Sequence, residues 1–329
     1  MHSYQQKTKD RINLTNKELS EIVQQWDIEF KNDRPEIKIE GSPERISYRI
    51  VVEDTFNKLY VLEMFSEQRY IHKKIIASVL NSLREREICF IQPYLKTITD
   101  DFIFKDDATY WQLTPFIPGI PLERPQYFRD TWRGTHAAEF LIDLYKKTES
   151  MKISGQVQPF SLKQYVLEMI DLMKIHNQYE YKKLENVIHY LGSDFFKKYD
   201  NFPVCFCHGD YHPLNIIWSD QSINAVIDWE FLGIKPEMYD IANMLGCIGI
   251  ENPRGLFLGY AMSFLDKVKK SEIVSKRGLR YLLDCMMALR FGWLAEWFRK
   301  RDNEMIDLEI TYLNLLLSSK DRIVKRWDI

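Results

Sequence analysis

The chain has 329 residues, 45% of them hydrophobic and 14% aromatic, so it can bury a sizeable core in one large domain or two lobes. Its 45 basic and 47 acidic residues leave a net charge of −2, which excludes the broad basic surface that binds nucleic acid by counterion release. No apolar run is long enough to cross a bilayer, and the polar start of the chain lacks the apolar core of a signal peptide. The five cysteines are scattered and odd in number, as in proteins with reduced thiols. We therefore expect a cytoplasmic, globular protein with no nucleic-acid and no membrane partner.

The first 114 residues are typical of a small lobe built from strands. Thr15 and Glu18 have the spacing of a capping box, which predicts a helix start, and apolar residues follow at helical spacing up to Trp26. Alternating apolar and polar residues then predict five strands and one helix after the third strand. The predicted strands are 36–41, 46–52, 59–65, 102–105 and 110–114, and the predicted helix is 67–83.

A segment with three prolines and one glycine, 115–122, interrupts regular structure. We place the lobe boundary there, which gives a lobe of residues 1–114 and a larger lobe of residues 115–329. Apolar residues three and four positions apart predict that the second lobe is mainly helical. The predicted helices are 132–148, 162–175, 181–190, 279–298 and 305–317.

Three polar residues in the middle of the chain form the most informative pattern. Asp210 follows a predicted strand at 204–207, and Asn215 and Asp228 flank two further predicted strands around a polar turn. This layout brings the three side chains to one edge. A carboxylate that takes a hydroxyl proton and two oxygen ligands for magnesium are the groups that a phosphoryl transferase needs. Taken singly, each residue is also an ordinary loop residue.

Together these residues resemble the aminoglycoside phosphotransferase and choline kinase superfamily, whose members carry His-Gly-Asp, then Asn, then Ile-Asp-Trp at this spacing. The resemblance implies an α+β, bilobal protein-kinase-like fold with a small five-stranded antiparallel lobe and a larger, mainly helical lobe. It also implies transfer of the γ-phosphoryl group of ATP, or GTP, with Mg²⁺, to a hydroxyl of a small molecule such as an amino sugar or amino alcohol. Asp210 would be the base, and Asn215 and Asp228 would be the magnesium ligands.

Three further residues have a supporting position in this pattern. His208 is expected to brace the loop by hydrogen bonding, with His212 on the other side of Asp210. The sequence His-x-Asp-x-His is also compatible with a transition-metal site, although such a site has no use for Asn215 and Asp228. Asp240 resembles the family's Asp-x-Ala helix start and is interpreted as a helix N-cap.

The nucleotide side matches the family less closely. Residues 41–50 take the place of a phosphate-covering hairpin, with Ser42 and Ser47 but only one glycine. The resemblance places the adenine against the hinge. The hinge contacts that it implies are Gln112, Thr114 and Phe116.

A sharper departure is Glu63, which occupies the strand position where the family has a phosphate-gripping lysine. We expect Glu63 to pair with Lys73 or Lys74 of the next helix in an inverted arrangement. The departure also leaves open a second function of a different class. The chain would then be a catalytically weak or inactive kinase-like binding or structural protein, comparable to some spore-coat proteins.

The acceptor site is the least defined part of the sequence. Arg290 and Trp293 share an apolar run, and a buried arginine needs an anionic partner, either a substrate carboxylate or an acid such as Glu296 or Asp240. Several acidic residues are candidates for a pocket that binds an amine. They are Glu230, Glu237, Glu296, Asp302 and Glu304.

Overall fold

The computed structural model describes residues 14–39, 45–151 and 160–329. These residues divide between two compact units. The first unit comprises the residues up to Arg84 together with Gln92–Ile117. The second unit comprises Glu85–Ile91 and Pro118–Ile329.

The first unit contains a five-stranded sheet in the order β1-β2-β3-β5-β4. All neighbouring strands are antiparallel, and β3 lies at the centre between β2 and β5. The elements are α1 (Asn16–Val23), β1 (Phe30–Asp33), β2 (Tyr48–Asp54), β3 (Leu59–Phe65), α2 (Glu67–Glu85), β4 (Phe104–Asp106) and β5 (Thr109–Pro115).

Helix α1 begins with the predicted capping box. The Thr15 hydroxyl accepts from the Glu18 amide at 3.3 Å, and the Glu18 carboxylate accepts from the Thr15 amide at 2.7 Å. The apolar residues of α1 pack against one face of the sheet in a core that includes Leu62 and Trp111. Because successive side chains of a strand point to opposite faces, the neighbouring residue Glu63 projects from the other face.

The predicted strand at 36–41 is wrong for residues 36–39, and its last two residues lie outside the described residues. Strand β1 is formed earlier by Phe30–Asp33, which pairs with β2. Pro35 follows directly, and the amide of Ile37 donates to the Arg34 carbonyl at 3.1 Å, which closes a turn. Pro35 cannot donate to a strand ladder, and the turn outweighs the apolar alternation that predicted a strand.

The second unit is mainly helical, as predicted. The predicted helix at 279–298 is interrupted, since one helix ends at Arg280 and the next begins at Leu282. The helices of this unit are α3 (Thr131–Thr148), α4 (Leu162–His176), α5 (Gln178–Ser193), α6 (Phe195–Lys198), α7 (Tyr239–Glu251), α8 (Gly259–Ser271), α9 (Lys276–Arg280), α10 (Leu282–Lys300), α11 (Asn303–Ser318) and α12 (Lys320–Trp327).

Two small antiparallel ribbons carry the loops of Asp210, Asn215 and Asp228 in this unit. Strand β6 (Val204–Cys207) pairs with β9 (Gly233–Pro236), a strand that the sequence did not predict, and β7 (Ile216–Trp218) pairs with β8 (Ile223–Val226). A sheet in one unit and helices in the other confirm the expected α+β class. No helix of the described chain is long and apolar enough to span a membrane.

Candidate functional site

The loop after β6 carries Asp210 in a tight backbone turn. Gly209 has a φ of +86°, and a methyl group at this position would lie 1.9 Å from the Phe231 carbonyl oxygen. Only glycine combines this left-handed conformation with so close an approach. The turn therefore fixes where the Asp210 side chain leaves the backbone.

His208 braces this loop from inside. It is fully buried, its Nδ1 accepts from the Asp210 amide at 3.2 Å, and its Nε2 lies 2.9 Å from the Ile227 carbonyl oxygen. Burial lowers the pKa of His208 to about 4, so the ring is neutral and the proton resides on Nε2, which donates to Ile227. Both ring nitrogens are engaged, and His208 has no position left for a metal.

Asp240 is not a helix N-cap, contrary to the interpretation from sequence. It lies inside the first turn of α7, where Met238 is the capping residue and makes no side-chain cap bond. The buried Asp240 carboxylate accepts from the amides of His208 at 2.7 Å and Gly209 at 2.8 Å. Burial raises its pKa to about 6, and the two amide donors oppose this rise. Asp240 thus ties α7 to the loop that carries Asp210.

Hydrogen bonds link Asp210, Asn215 and the strand end that precedes Asp228. The Asn215 side-chain amide donates to the Asp210 carbonyl at 2.8 Å and to its carboxylate at 3.2 Å. The Ile227 amide donates to the Asn215 carbonyl at 2.9 Å, which places the next residue, Asp228, beside Asn215. Asp228 is exposed and has a φ of 61°. The structure thus brings the three predicted residues together.

The surroundings of Asp210 favour its charged form. Burial alone would raise its pKa, but a hydrogen bond and charge from His212 and a hydrogen bond from Asn243 hold the pKa below its ordinary value. The His212 Nε2 lies 3.7 Å from the Asp210 carboxylate, and the Asn243 side-chain amide donates to it at 3.3 Å. Asp210 is therefore ionised at neutral pH. The sequence did not indicate Asn243 as a site residue, because no local pattern shows that it contacts Asp210, which lies 33 positions earlier.

The donor atoms at this site suit a hard divalent cation. The Asn215 side-chain amide uses its nitrogen toward Asp210, so its oxygen is oriented away from that contact. Asp228 follows Ile227, whose amide is bonded to the Asn215 backbone, and carries the second oxygen-bearing side chain. Carboxylate and amide oxygens are the ligands that magnesium prefers, with water completing the shell. Among the residues that the structure describes, no cluster of three or more His, Cys, Asp and Glu side chains is arranged to hold a metal ion. The alternative transition-metal site around His208 and His212 is therefore not formed.

The predicted nucleotide contacts lie in the first unit, apart from Ser42, which is outside the described residues. Ser47 is exposed beside β2, and Thr114 is half-buried on β5. Gln112 is 1% exposed, and its side-chain amide donates to Glu63 at 2.5 Å. The Phe116 amide donates to the Leu59 carbonyl at 2.8 Å. Gln112 and Phe116 therefore use these donors within the unit.

Glu63 contacts two residues that the sequence did not indicate, Arg49 and Gln112. It faces Arg49 across β2 and β3 and Gln112 across β3 and β5. Its carboxylate forms an ion pair with the Arg49 guanidinium and accepts from Gln112. The pairing with Lys74 is wrong, because Lys74 binds Asp101 at 2.7 Å. Arg49 on β2 therefore neutralises the charge of Glu63 on β3.

Most of the predicted acceptor residues bind other residues of the same unit. Arg290 and Glu309, which lie on α10 and α11, form a buried ion pair, so neither Glu296 nor Asp240 is its partner. Glu296 pairs with two cations of its own helix, Arg299 and Lys300. Trp293 is half-buried and stacks on Trp297 with ring centroids 6.2 Å apart. Other members of the predicted acidic pocket are also engaged: Glu237 accepts from Ser275, and Asp302 caps α11.

The fold is shared with several solved kinases. The chain matches the structure of an aminoglycoside phosphotransferase from Alicyclobacillus acidocaldarius subsp. acidocaldarius DSM 446 with a TM-score of 0.71, 14% identity and 98% of each chain covered. The amicoumacin kinase hAmiN, in complex with AMP-PNP, Ca²⁺ and Ami, gives a TM-score of 0.66, 13% identity, and coverage of 91% of this chain and 93% of that one. The GDP complex of aminoglycoside 2'-phosphotransferase-IIIa gives 0.64, 16% identity, and coverage of 92% and 97%. These likenesses confirm the bilobal protein-kinase-like fold.

The sequence comparison covers the same region as the site. No curated protein matches this chain. The model of the phosphotransferase enzyme family matches residues 58–268, which span β3, the proline-rich segment 115–122 and the loops of Asp210, Asn215 and Asp228. The chain therefore belongs to the phosphotransferase enzyme family.

Proposed function

We propose that this phosphotransferase moves the γ-phosphoryl group of ATP, or GTP, to a hydroxyl of a small molecule, with Mg²⁺ and with Asp210 as the base. The observation that carries the proposal is the set of hydrogen bonds that joins Asp210, Asn215 and Ile227, the residue before Asp228. Asp210 is ionised within this set, which is the state that accepts a proton.

Each residue of the set has a separate task in the transfer. The acceptor oxygen forms a bond to the γ-phosphorus while the bond from that phosphorus to the bridging oxygen breaks, and the nucleoside diphosphate leaves. Asp210 orients the hydroxyl and takes its proton. Asn215 and Asp228 would hold Mg²⁺, which neutralises charge on the phosphates when bound. His208 and Asp240 keep the loop fixed, which matters because such catalysis depends mostly on positioning.

The nucleotide and metal are also supported by solved neighbours, since hAmiN was solved with AMP-PNP and Ca²⁺ and aminoglycoside 2'-phosphotransferase-IIIa with GDP. The alternative of an inactive binding protein rested on Glu63. Its pairing with Arg49 accounts for that residue without any loss of the loop residues. We therefore favour the enzyme.

The acceptor classes to test first are amino sugars and amino alcohols, together with other hydroxyl-bearing metabolites. Nucleoside diphosphate release should be measured with ATP and GTP across such a set, using wild type and Asp210→Asn. We expect Asp210→Asn to lower turnover by roughly two orders of magnitude or more, because it removes the proton acceptor and no nucleotide contact. Nucleotide affinity should change little.

Asp220→Asn is the matched control, since Asp220 is an exposed turn residue of the same unit. It should leave turnover unchanged. Turnover of Asp210→Asn close to that of wild type would refute the role of Asp210 as the base.

A further inference from the structure

Lys235 is a buried cation beside the loop of Asp210, and the Asp240 carboxylate acts on it only from beyond ion-pair distance. It lies on β9, and 5% of its surface is exposed. Within the described part of the chain, its ammonium has no carboxylate at ion-pair distance and no hydrogen-bond acceptor, and two rings lie next to it. The ring centroids of Phe160 and Tyr239 are 4.9 and 5.2 Å away.

This environment is unfavourable for a charged amine. Removing an ammonium from water is more unfavourable than a cation–π contact is favourable. Burial accordingly lowers the pKa of Lys235. A nearby anion that accepts a hydrogen bond would relieve this cost.

Other buried charges of the same unit have their partners. Arg290 has Glu309, and both Asp240 oxygens accept backbone amides. Glu237, close to Lys235 in sequence, accepts from the Ser275 amide at 3.1 Å. Lys235 differs from these residues, because the groups next to its ammonium are two aromatic rings. The strand that pairs with β9 is β6, which carries the thiols of Cys205 and Cys207.

The position of Lys235 links it to the proposed chemistry. A methyl group built on Gly209 would lie 2.8 Å from the Lys235 Cε, so the lysine stem packs against the residue next to Asp210. Two carboxylates, Asp210 and Asp228, would repel an anionic acceptor at this site. A cation beside the loop offsets that repulsion.

We propose that the Lys235 ammonium binds an oxyanion of the acceptor, a carboxylate or a phosphate group, while the acceptor's hydroxyl lies at Asp210. This inference rests on the proposed function and narrows the acceptor to hydroxyl compounds that carry an oxyanion. Three acids of this unit, Glu237, Glu296 and Glu309, already bind groups of the chain itself. Their carboxylates are therefore not directed to an amine of the acceptor, which agrees with an anionic acceptor.

Four probe compounds test which charge the acceptor carries, because all four contain the same diol and differ in their charged group. They are D-glycerate, glycerol 3-phosphate, glycerol and 3-amino-1,2-propanediol. Binding to the full chain should be followed by the NMR signal of the Lys235 side chain in lysine-labelled protein, assigned with Lys235→Arg, and by calorimetry. We expect at least one anion to shift the Lys235 signal and to bind about tenfold or more tightly than glycerol, as one ion pair of about 1.4 kcal/mol would give.

Lys235→Met should abolish this preference, and Lys235→Arg should keep most of it. Lys197→Met is the control, because it removes one positive charge from an exposed position of the same unit. Comparison of the two anions tells whether the site selects a carboxylate or a phosphate. No signal shift with either anion, or equal affinities of wild type and Lys235→Met, would overturn the proposal.

The same experiment separates this inference from the proposed function. Binding at Lys235 without phosphoryl transfer to any probe or metabolite would leave the anion site standing and count against the enzyme. Transfer to neutral or amino acceptors that is unaffected by Lys235→Met would leave the enzyme standing and refute the anion site. In that case Lys235 is an internal counter-charge for Asp240, whose carboxylate it stabilises at longer range.

Discussion

At the scale of single residues, the loop of Asp210 shows how a local pattern depends on distant groups. The sequence indicated Asp210, Asn215 and Asp228, because they lie within nineteen consecutive positions that share their strand and turn signals. The role of Asp240 was misread, since its two amide partners lie 31 and 32 positions earlier in the chain. A carboxylate at a helix start looks like a cap unless the loop that it holds is known.

A second buried carboxylate, Asp284 of α10, permits a pH prediction away from the site. Burial raises its pKa to about 6, and a hydrogen bond from Tyr190 opposes this rise. Because the folded-state pKa lies above the unfolded value, the stability contribution of Asp284 is complete below about pH 4. It is lost as the pH rises through about 6. Asp284→Asn should therefore stabilise the protein at pH 8, by at most about 3 kcal/mol, and have little effect near pH 4.

Denaturant unfolding of both proteins at the two pH values measures this difference. Asp266→Asn is the control, because that residue is on the exposed side of α8. A gain of equal size at both pH values would show that Asp284 is not neutralised by burial.

At the scale of elements, the contact of α3 with α8 depends on Gly134. A methyl group there would lie 2.1 Å from the Tyr260 carbonyl oxygen and 2.3 Å from the Ser263 hydroxyl. Gly134→Ala should therefore force the two helices apart and lower the free energy of unfolding by about 2 kcal/mol or more. Gly192 on α5 is the matched control, because a methyl group there meets no atom within 4 Å. Gly192→Ala should be neutral or stabilise the helix by about 0.5–1 kcal/mol, and equal effects of the two substitutions in thermal unfolding would contradict this account.

The sheet of the first unit gives an element-scale prediction for Glu63. Glu63→Lys would place two cations opposite each other, on β2 and β3, and should lower the free energy of unfolding by roughly 3 kcal/mol. The double variant Arg49→Glu, Glu63→Lys exchanges the two charges and should recover part of the loss.

Denaturant unfolding of the four proteins of this cycle measures the coupling between Arg49 and Glu63. Glu36→Lys is a surface control, since the Glu36 side chain is 59% exposed, and its effect should be much smaller. Additive effects in the cycle would mean that the ion pair does not stabilise the sheet.

At the scale of the whole molecule, the sequence predicted those features that depend on neighbouring residues. The capping box of α1 and the alternation in β3 gave correct elements, because helix starts and half-buried strands have local periodicity. Strand β9 was missed and β1 was misplaced, since their pairing with β6 and β2 is not visible in short windows. The contacts of Glu63 with Arg49 and of Arg290 with Glu309 were missed for the same reason: they are set by strand register and helix packing.

The proposed metal site gives a prediction for the stability of the entire chain. A ligand that binds the folded protein alone raises its stability, by about 2.7 kcal/mol at one hundred times its Kd. Mg²⁺ with a non-hydrolysable ATP or GTP analogue should therefore raise the Tm of wild type and of Asp210→Asn. Asp228→Ala should lose the magnesium-dependent part of this rise, because it removes a carboxylate ligand, and Asn215→Ala should lose a smaller part. Scanning calorimetry with nucleotide in the presence and absence of Mg²⁺ measures both effects, and an undiminished magnesium effect in Asp228→Ala would place the metal elsewhere.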